Sequence, residues 1–147
     1  MSNEPTATPA SLWLRALAGS YDLLPLLGLW FFAGAIALGL TGGAIEAHAE
    51  FRKLLTQLLV LAFSAAYFVV SWTRGGQTIG MRAWRLRVVR VDGAALRWPQ
   101  ALLRFGVALV SLAALGIGFV WMLFDPQKRT WHDIASRSTV RCSAAGN

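Results

Sequence analysis

Three long stretches without a charged residue constrain this chain more than any other feature. They cover residues 23–45, 54–73 and 105–124, which are 23, 20 and 20 residues long. A helix rises about 1.5 Å per residue, so about 20 helical residues cross the ~30 Å hydrocarbon layer of a bilayer. Each stretch is long enough to span a membrane once. The sequence therefore predicts an all-α integral membrane protein with three transmembrane helices.

The overall composition and charge agree with a membrane location. Of the 147 residues, 56% are hydrophobic and 14% are charged, whereas soluble domains average about 25% charged residues. Lys and Arg number 14 and Asp and Glu number 7, which gives a net charge of +7. In an apolar chain such an excess of cations suits anionic lipid head groups, and no nucleic-acid-binding module is recognisable. We expect the bilayer and its anionic head groups as partners, and no nucleic acid.

The first apolar run begins at Leu12 and contains two charged residues, Arg15 and Asp22. The preceding residues, 1–11, include no basic residue and no small-residue cleavage pattern, so we interpret the run as a retained span after a disordered tail. Pro25 has no N–H group and predicts a kink just after Asp22. An ionised aspartate inside hydrocarbon costs about 2.5–3.5 kcal/mol on insertion scales, so Asp22 should be paired or protonated.

The basic residues between and after the apolar stretches set the expected orientation. The second connection carries seven arginines, Arg74, Arg82, Arg85, Arg87, Arg90, Arg97 and Arg104. Lys and Arg favour the cytoplasmic side, so this connection and the N-terminus should be cytoplasmic. The C-terminal tail is also basic, yet a third span places it outside. Either the tail tolerates that side, or the third stretch breaks and re-enters at 116–118. We favour three spans.

The second connection also has the pattern of a β-hairpin. Residues 81–91 alternate apolar residues with arginines, and Asp92-Gly93 separates them from the short run 94–98. An Asp-Gly pair between two β-prone runs is a strong signal for a tight hairpin turn. We therefore predict a short cytoplasmic β-hairpin that lies at the membrane surface, with its arginines on lipid phosphates.

The residues predict neither a catalytic nor a metal site. His132 and Asp133 are adjacent, but the chain has only one further histidine, His48, which is too few ligands for a binuclear metal centre. The glycine-rich segment 75–80 lacks the Gly-Lys-Ser/Thr of a phosphate loop. A single cysteine, Cys142, excludes an intrachain disulfide. We therefore expect that the protein is not an enzyme and binds no cofactor. We favour a structural role for Asp133.

Taken together, these residues resemble the RDD family of membrane domains, which is named for one arginine and two aspartates. The resemblance rests on Arg15, Asp22, 76–81, Arg104, 130–133 and 138–140. It covers residues 12–141 and leaves 142–147 as a disordered tail. By matching, the family arginine is Arg15 and the aspartates are Asp22 and Asp133, with Asp125 as the less favoured alternative. Arg104 and His132 are supporting residues, as is Pro25, although Pro25 does not help to identify the family.

The resemblance implies a small multi-pass protein of a bacterial inner membrane with its N-terminus in the cytoplasm. The family's molecular function is poorly defined, and ion/proton transport has been suggested for some members. In that hypothesis Asp22 titrates and Arg15 adjusts how readily it does so. Because three spans do not easily enclose a path, transport requires a homo-oligomer or other membrane proteins. The alternative is a non-catalytic scaffold, or an accessory subunit in assembly or quality control.

Overall fold

A computed structural model describes residues 8–42 and 49–142 of the chain. The helices are α1 (Leu12–Leu40), α2 (Ala49–Arg74), α3 (Ile79–Ala83), α4 (Trp98–Ala113), α5 (Ile117–Val120) and α6 (Trp131–Ala135). The two strands are β1 (Leu86–Arg90) and β2 (Ser138–Cys142), and a 3-10 turn, Trp121–Leu123, follows α5. The structure is therefore mostly helical. His48 and the tail residues 1–7 and 143–147 lie outside the described residues.

Helices α1 and α2 form a long antiparallel pair. Both are long and apolar enough to cross a membrane, as predicted from the first two uncharged stretches. Ser11 caps α1 by accepting a hydrogen bond from the backbone N–H of Leu14. Between the helices, Trp30 donates through Nε1 to Oγ of Ser64 at 2.9 Å. The outward sides of the pair expose large apolar side chains, as expected for a surface in contact with lipid tails.

The third uncharged stretch is a bent pair of helices instead of one straight helix. Helix α4 ends at Ala113, and α5 leaves it at an angle of 110°. At the break, Leu115 and Gly116 adopt left-handed backbone conformations with φ of 54° and 79°. A break was predicted two residues later, at 116–118. Within the described residues, two helices can each cross a membrane, and a third crossing exists only if the bent pair counts as one span.

The predicted hairpin is wrong, because β1 pairs with β2 from the C-terminal tail. The two strands are antiparallel, with Val88 opposite Val140. Asp92-Gly93 does make a turn, in which the N–H of Gly93 donates to the carbonyl of Arg90 at 2.9 Å. However, α4 begins at Trp98, with Pro99 in its first turn, so only residues 94–97 lie between the turn and the helix, too few for a returning strand. The open edge of β1 is completed by a segment that is distant in sequence.

Residues before α1 extend this small sheet. The N–H of Ala10 donates to the carbonyl of Val140 at 3.0 Å, and the N–H of Cys142 donates to the carbonyl of Thr8 at 3.1 Å. Residues 8–10, which the sequence assigned to the N-terminal tail, thus lie along β2. As a result, both ends of the described chain and the second connection meet at one end of the helix pair. We call this part, formed by residues 8–22, 67–104 and 125–142, the polar end.

A compact apolar cluster holds the polar end together. Leu86 and Val88 of β1 and Val140 of β2 point inward and are buried. They pack over the ends of the long helices, where Val69 and Trp72 of α2 are also buried. Burying a side chain of this size contributes roughly 1.5–3 kcal/mol. This cluster fixes the starts of α1 and α4 next to each other, which brings their charged residues together.

Candidate functional site

Asp133 lies at the centre of a buried charged cluster, which we call the arginine clasp (Arg15, Arg104 and Asp133). Its Oδ1 accepts from Nη1 of Arg104, and its Oδ2 accepts from Nη1 of Arg15, each at 2.5 Å. The side chain of Asp133 is 0% exposed and that of Arg104 is 3% exposed. One carboxylate therefore joins the start of α1, the first turns of α4 and helix α6.

Local capping positions this carboxylate. Thr130 is the N-cap of α6, and its hydroxyl accepts from the N–H of Asp133 while the Asp133 carboxylate accepts from the N–H of Thr130. Such a reciprocal arrangement is a capping box, which satisfies two free donors at the helix start. The capping box therefore orients the Asp133 carboxylate independently of the two arginines.

Both arginines of the clasp have further partners. Arg104 donates from Nη1 to Oγ of Ser138 at 2.6 Å and lies over the ring of Trp72, with 5.2 Å to the ring centroid. Arg15 donates from Nε to the carbonyl of Ala10 at 3.2 Å. Charged groups out of water are stable only when they are paired and hydrogen-bonded in this way. Each of the three members of the clasp is in an ion pair and hydrogen-bonded, although the buried Nε of Arg104 has no hydrogen-bond partner among the described residues.

The electrostatics of the clasp keep Asp133 charged and His132 neutral. Burial alone would raise the pKa of Asp133, but the charges of Arg104 and Arg15 outweigh burial and hold the pKa below its ordinary range. Burial, aided by the nearby charge of Arg104, lowers the pKa of His132 to about 3. Its Nε2 lies 2.8 Å from the hydroxyl of Thr130. At neutral pH, His132 is therefore a neutral packing and hydrogen-bonding residue.

Asp22 is the second buried carboxylate, and its hydrogen-bond donors are neutral groups instead of arginines. Its Oδ1 accepts from the hydroxyl of Tyr67 at 2.7 Å and from the N–H of Gly80 at 2.8 Å. Its Oδ2 accepts from the hydroxyl of Thr78 at 2.6 Å. Asp22 is 3% exposed. We call these four residues the Asp22 site, which joins α1, α2 and the start of α3.

Asp22 forms no ion pair within the described part of the chain. The ion pairs found there do not include it, and Arg15 points to Asp133 instead. Arg15 and Asp22 share a face of α1, but seven residues separate them by ~10.5 Å along the axis. The hypothesis that Arg15 acts directly on Asp22 therefore has no contact to support it.

Glycine is required at position 80 by the close approach of α3 to α1. A Cβ atom added to Gly80 would overlap the carbonyl oxygen of Ala18 and crowd the carboxylate of Asp22. Thr78 begins α3 as its N-cap and accepts from the N–H of Met81 at 3.2 Å. The segment 76–81, which also carries part of the family resemblance, is thus the part of the second connection that builds the Asp22 site.

Asp125 and Pro25 take no part in either site. Asp125 pairs with Arg129 four residues later, at 3.1 Å, and hydrogen bonds from Arg129 lower the pKa of Asp125. This is a local pair in the turn after the third stretch. Pro25 lies inside α1, one turn beyond Asp22. Across the described residues, no three His, Cys, Asp or Glu side chains are grouped so that they could hold a metal ion.

Sequence reasoning missed most partners of the two carboxylates. Tyr67 lies in the second uncharged stretch, and no sequence pattern links it to Asp22, which is 45 residues away. Thr78 and Gly80 are 56 and 58 residues from Asp22. Helical periodicity relates residues only within one helix. For Thr78 and Gly80, the one sequence signal of a functional role was their position in the segment 76–81.

Two apolar helices, a bent third segment and a polar end with two buried carboxylates fit a small helical membrane protein. The chain belongs to the RDD family, whose sequence profile matches residues 9–137. This match confirms the resemblance inferred from Arg15, Asp22 and the C-terminal motif. The chain is also 26% identical to the uncharacterized protein YxaI of Bacillus subtilis (strain 168) over 146 residues, which covers 90% of this chain and 96% of that protein. No solved structure matches the chain.

Proposed function

We propose that this chain is a bacterial inner-membrane protein that, as an oligomer, exchanges a cation for a proton at Asp22. One observation supports the proposal above all. Asp22 and Asp133 are both buried; among the described residues, the hydrogen-bond partners of Asp22 are neutral, whereas Asp133 is held by two arginines. A buried carboxylate without an ion-pair partner is the group in such a structure that a proton or a cation can neutralise.

The hydrogen-bond chemistry of the Asp22 site allows a change of protonation state. A hydroxyl group can donate and accept, so the hydroxyls of Tyr67 and Thr78 can each reverse their bond to Asp22. A protonated Asp22 can then donate to one hydroxyl and still accept from the N–H of Gly80. Guanidinium groups only donate, so Asp133 gains no such alternative. Asp22 is thus suited to take up and release a proton, and Asp133 is suited to remain ionised.

We further propose that the third stretch re-enters, so that both chain ends are cytoplasmic. The pairing of β1 with β2 and the contact of Arg15 with Asp133 support this arrangement, because they join the N-terminus, the arginine-rich connection and the C-terminal tail. All the basic segments then lie on the side that Lys and Arg favour. This arrangement resolves the conflict that a single third crossing creates, and it brings exposed arginines such as Arg74 and Arg97 near lipid head groups.

Thiol labelling in intact cells tests the proposed topology. Cys142, in β2, should react with a membrane-impermeant maleimide only after the membrane is permeabilised. An Arg97→Cys variant in a Cys142→Ser background serves as the control, because position 97 is exposed at the start of α4. Labelling of Cys142 but not of position 97 in intact cells would show that the third stretch crosses the membrane.

Cation-driven proton movement in proteoliposomes tests the transport proposal. Sodium, potassium and lithium gradients should each be tried against a pH-sensitive dye inside the vesicles. We expect flux from the wild type, none from Asp22→Asn, and wild-type flux from Asp125→Asn, which makes the same chemical change outside both sites. Flux that persists in folded Asp22→Asn would contradict the assignment of Asp22.

The second candidate function is a non-catalytic scaffold or an accessory subunit in assembly or quality control. The observation that favours it is the arginine clasp, which links α1, α4 and α6 with all its charges paired. In addition, Gly28 and Gly39 of α1 have open space where a side chain would be, and small residues let helices of a partner approach closely. Folded wild-type protein that moves no ion under any of the three gradients would make this the preferred function.

A further inference from the structure

Residues 76–90 and 128–142, which are 52 positions apart, have the same local structure. Each segment contains a threonine N-cap, a helix of five residues and a strand of five residues, which are α3 and β1 in the first and α6 and β2 in the second. In both, the threonine hydroxyl accepts a hydrogen bond from the N–H three residues later, at 3.2 Å and 3.4 Å. Four of the 15 residues are identical, and in the first segment they are Thr78, Ala83, Arg85 and Val88.

Left-handed backbone conformations occur at the same two positions of both segments. Two residues before the threonine, Gly76 and Lys128 have φ of 66° and 55°. Directly before the strand, Arg85 and Arg137 have φ of 52° and 49°. Residues other than glycine rarely adopt this conformation. The agreement at both positions therefore reflects one shared path of the backbone.

The two strands pair symmetrically. Val88 lies opposite Val140, which is its own counterpart 52 positions later. The pairs at the two ends of the sheet exchange places under the same shift, and they are Leu86 with Cys142 and Arg90 with Ser138. A two-fold axis between Val88 and Val140 therefore relates the two segments.

The long helices before the two segments match as well. Arg15 and the buried Asp22 are seven positions apart in α1, and Arg104 and the buried Ser111 are seven positions apart in α4. The two positions on either side of Asp22 and of Ser111 are exposed in both helices. Helix α1 packs against α3 as α4 packs against α6. We therefore define the first copy as 12–25 with 76–90, and the second copy as 101–114 with 128–142.

We propose that the chain is built from two copies of one unit, of which the first carries the exchanging carboxylate and the second, with Ser111 at the matching position, anchors the polar end. Both α1 and α4 leave the polar end, so the copies have the same orientation, as in membrane proteins whose repeats are related by an axis along the membrane normal. In the first copy, Asp22 accepts from the N–H of Gly80 near the start of α3. In the second, Ser111 lies beside the start of α6, because a Cβ atom added to Gly118 would meet both Oγ of Ser111 and the ring of Trp131.

Distances between spin labels in the reconstituted protein test the two-fold relation. Each double-cysteine variant, in a Cys142→Ser background, has one label in a long helix and one directly before a strand. The four exposed positions are 23 and 85 in the first copy and 112 and 137 in the second. We expect equal distances within the copies, 23–85 and 112–137, and equal distances between them, 23–137 and 112–85. Unequal distances in either comparison would overturn the two-fold relation. Positions 21 and 110, which are also exposed counterparts, replace 23 and 112 if a variant does not fold.

The vesicle assay tests the different roles of the two copies, which rest on the proposed exchange at Asp22. The hydroxyl of Ser111 is buried without a hydrogen-bond partner among the described residues, so Ser111→Ala should fold at least as stably as the wild type. We expect wild-type flux from Ser111→Ala and none from Asp22→Ser, which places the residue of the second copy in the first. Loss of flux in folded Ser111→Ala would contradict the confinement of exchange to the first copy. Equal label distances in a protein that moves no ion would support the two-fold relation and remove the transport proposal.

Discussion

Asp133→Asn is the change for which the structure gives the clearest magnitude. The substitution keeps the size of the side chain and leaves an oxygen that can accept from the N–H of Thr130. It removes the negative charge between Arg15 and Arg104, and Arg104 is 3% exposed, so water cannot replace the lost partner. Breaking a buried ion pair by removing one member costs about 3–5 kcal/mol. This is a large fraction of the 5–15 kcal/mol that typically separates folded from unfolded protein.

Denaturant unfolding in mild detergent, followed by tryptophan fluorescence, measures this loss. The experiment belongs at pH 7, because the pKa of Asp133 is lower in the folded chain than its ordinary value of 3.8. A carboxylate whose pKa is lower in the folded chain stabilises the fold at pH values above its ordinary pKa. That stabilisation is lost as the pH falls through the pKa that the group has in the folded chain. At neutral pH the full contribution of the charge is therefore present.

Two further variants make the result interpretable. Asp125→Asn is the matched control, and it should change the free energy of unfolding little, since its partner Arg129 lies four residues away near the surface. The double variant Arg104→Gln/Asp133→Asn should lose less free energy of unfolding than the two single variants lose together. Asp133→Asn alone leaves two arginines unpaired, whereas the double variant leaves one. Equal losses for Asp133→Asn and Asp125→Asn would refute the view that the clasp stabilises the polar end.

Three other predictions follow from the same geometry. Between pH 6.5 and 5 the free energy of unfolding of the wild type should fall, relative to that of His132→Gln, by up to about 1.4 kcal/mol per pH unit. The histidine takes up a proton in the unfolded chain but not in the folded chain, where its pKa is lowered to about 3; parallel pH profiles of the two proteins would contradict this. Gly80→Ala should lower the melting temperature strongly, since an added Cβ atom meets the backbone of α1. Gly106→Ala, where the added Cβ atom meets open space within α4, should leave the melting temperature unchanged or raise it slightly, because alanine favours a helix over glycine; equal shifts in calorimetry would count against the close approach of α3 to α1. Tyr67→Phe should keep the fold but slow proton exchange in the vesicle assay, because it removes one of the two reversible hydroxyls at Asp22; an unchanged rate would exclude Tyr67 from proton transfer.

The helices that depend on local composition could be predicted from the sequence. Residues 54–73 lie within α2, and α1 begins at Leu12, where the apolar run begins. The glycines at 116 and 118 correctly indicated a break in the third stretch, because a left-handed residue at a helix end favours glycine. The angle of 110° could not be predicted, since it depends on how α5 packs against Ser111 and Trp131.

Contacts between distant segments were beyond sequence reasoning. The Asp92-Gly93 signal correctly indicated a turn, but the strand that pairs with β1 starts at Ser138, 48 positions after Arg90, its partner in the register. Likewise Arg15 and Asp133 are 118 residues apart, and no sequence pattern relates positions so distant. In both cases the hydrophobic cluster around Leu86 and Val140 decides which segments meet, and its members are scattered along the chain.

Infrared difference spectroscopy of the reconstituted protein tests most directly whether Asp22 exchanges a proton for a cation. The measurement compares the carboxylic acid C=O band before and after addition of the cation that drives flux. We expect one such band to disappear when the cation binds in the wild type, and we expect no such change in the Asp22→Asn variant. A band change that is identical in both proteins, or absent from a wild type that is active in transport, would contradict the assignment of Asp22 as the exchanging carboxylate.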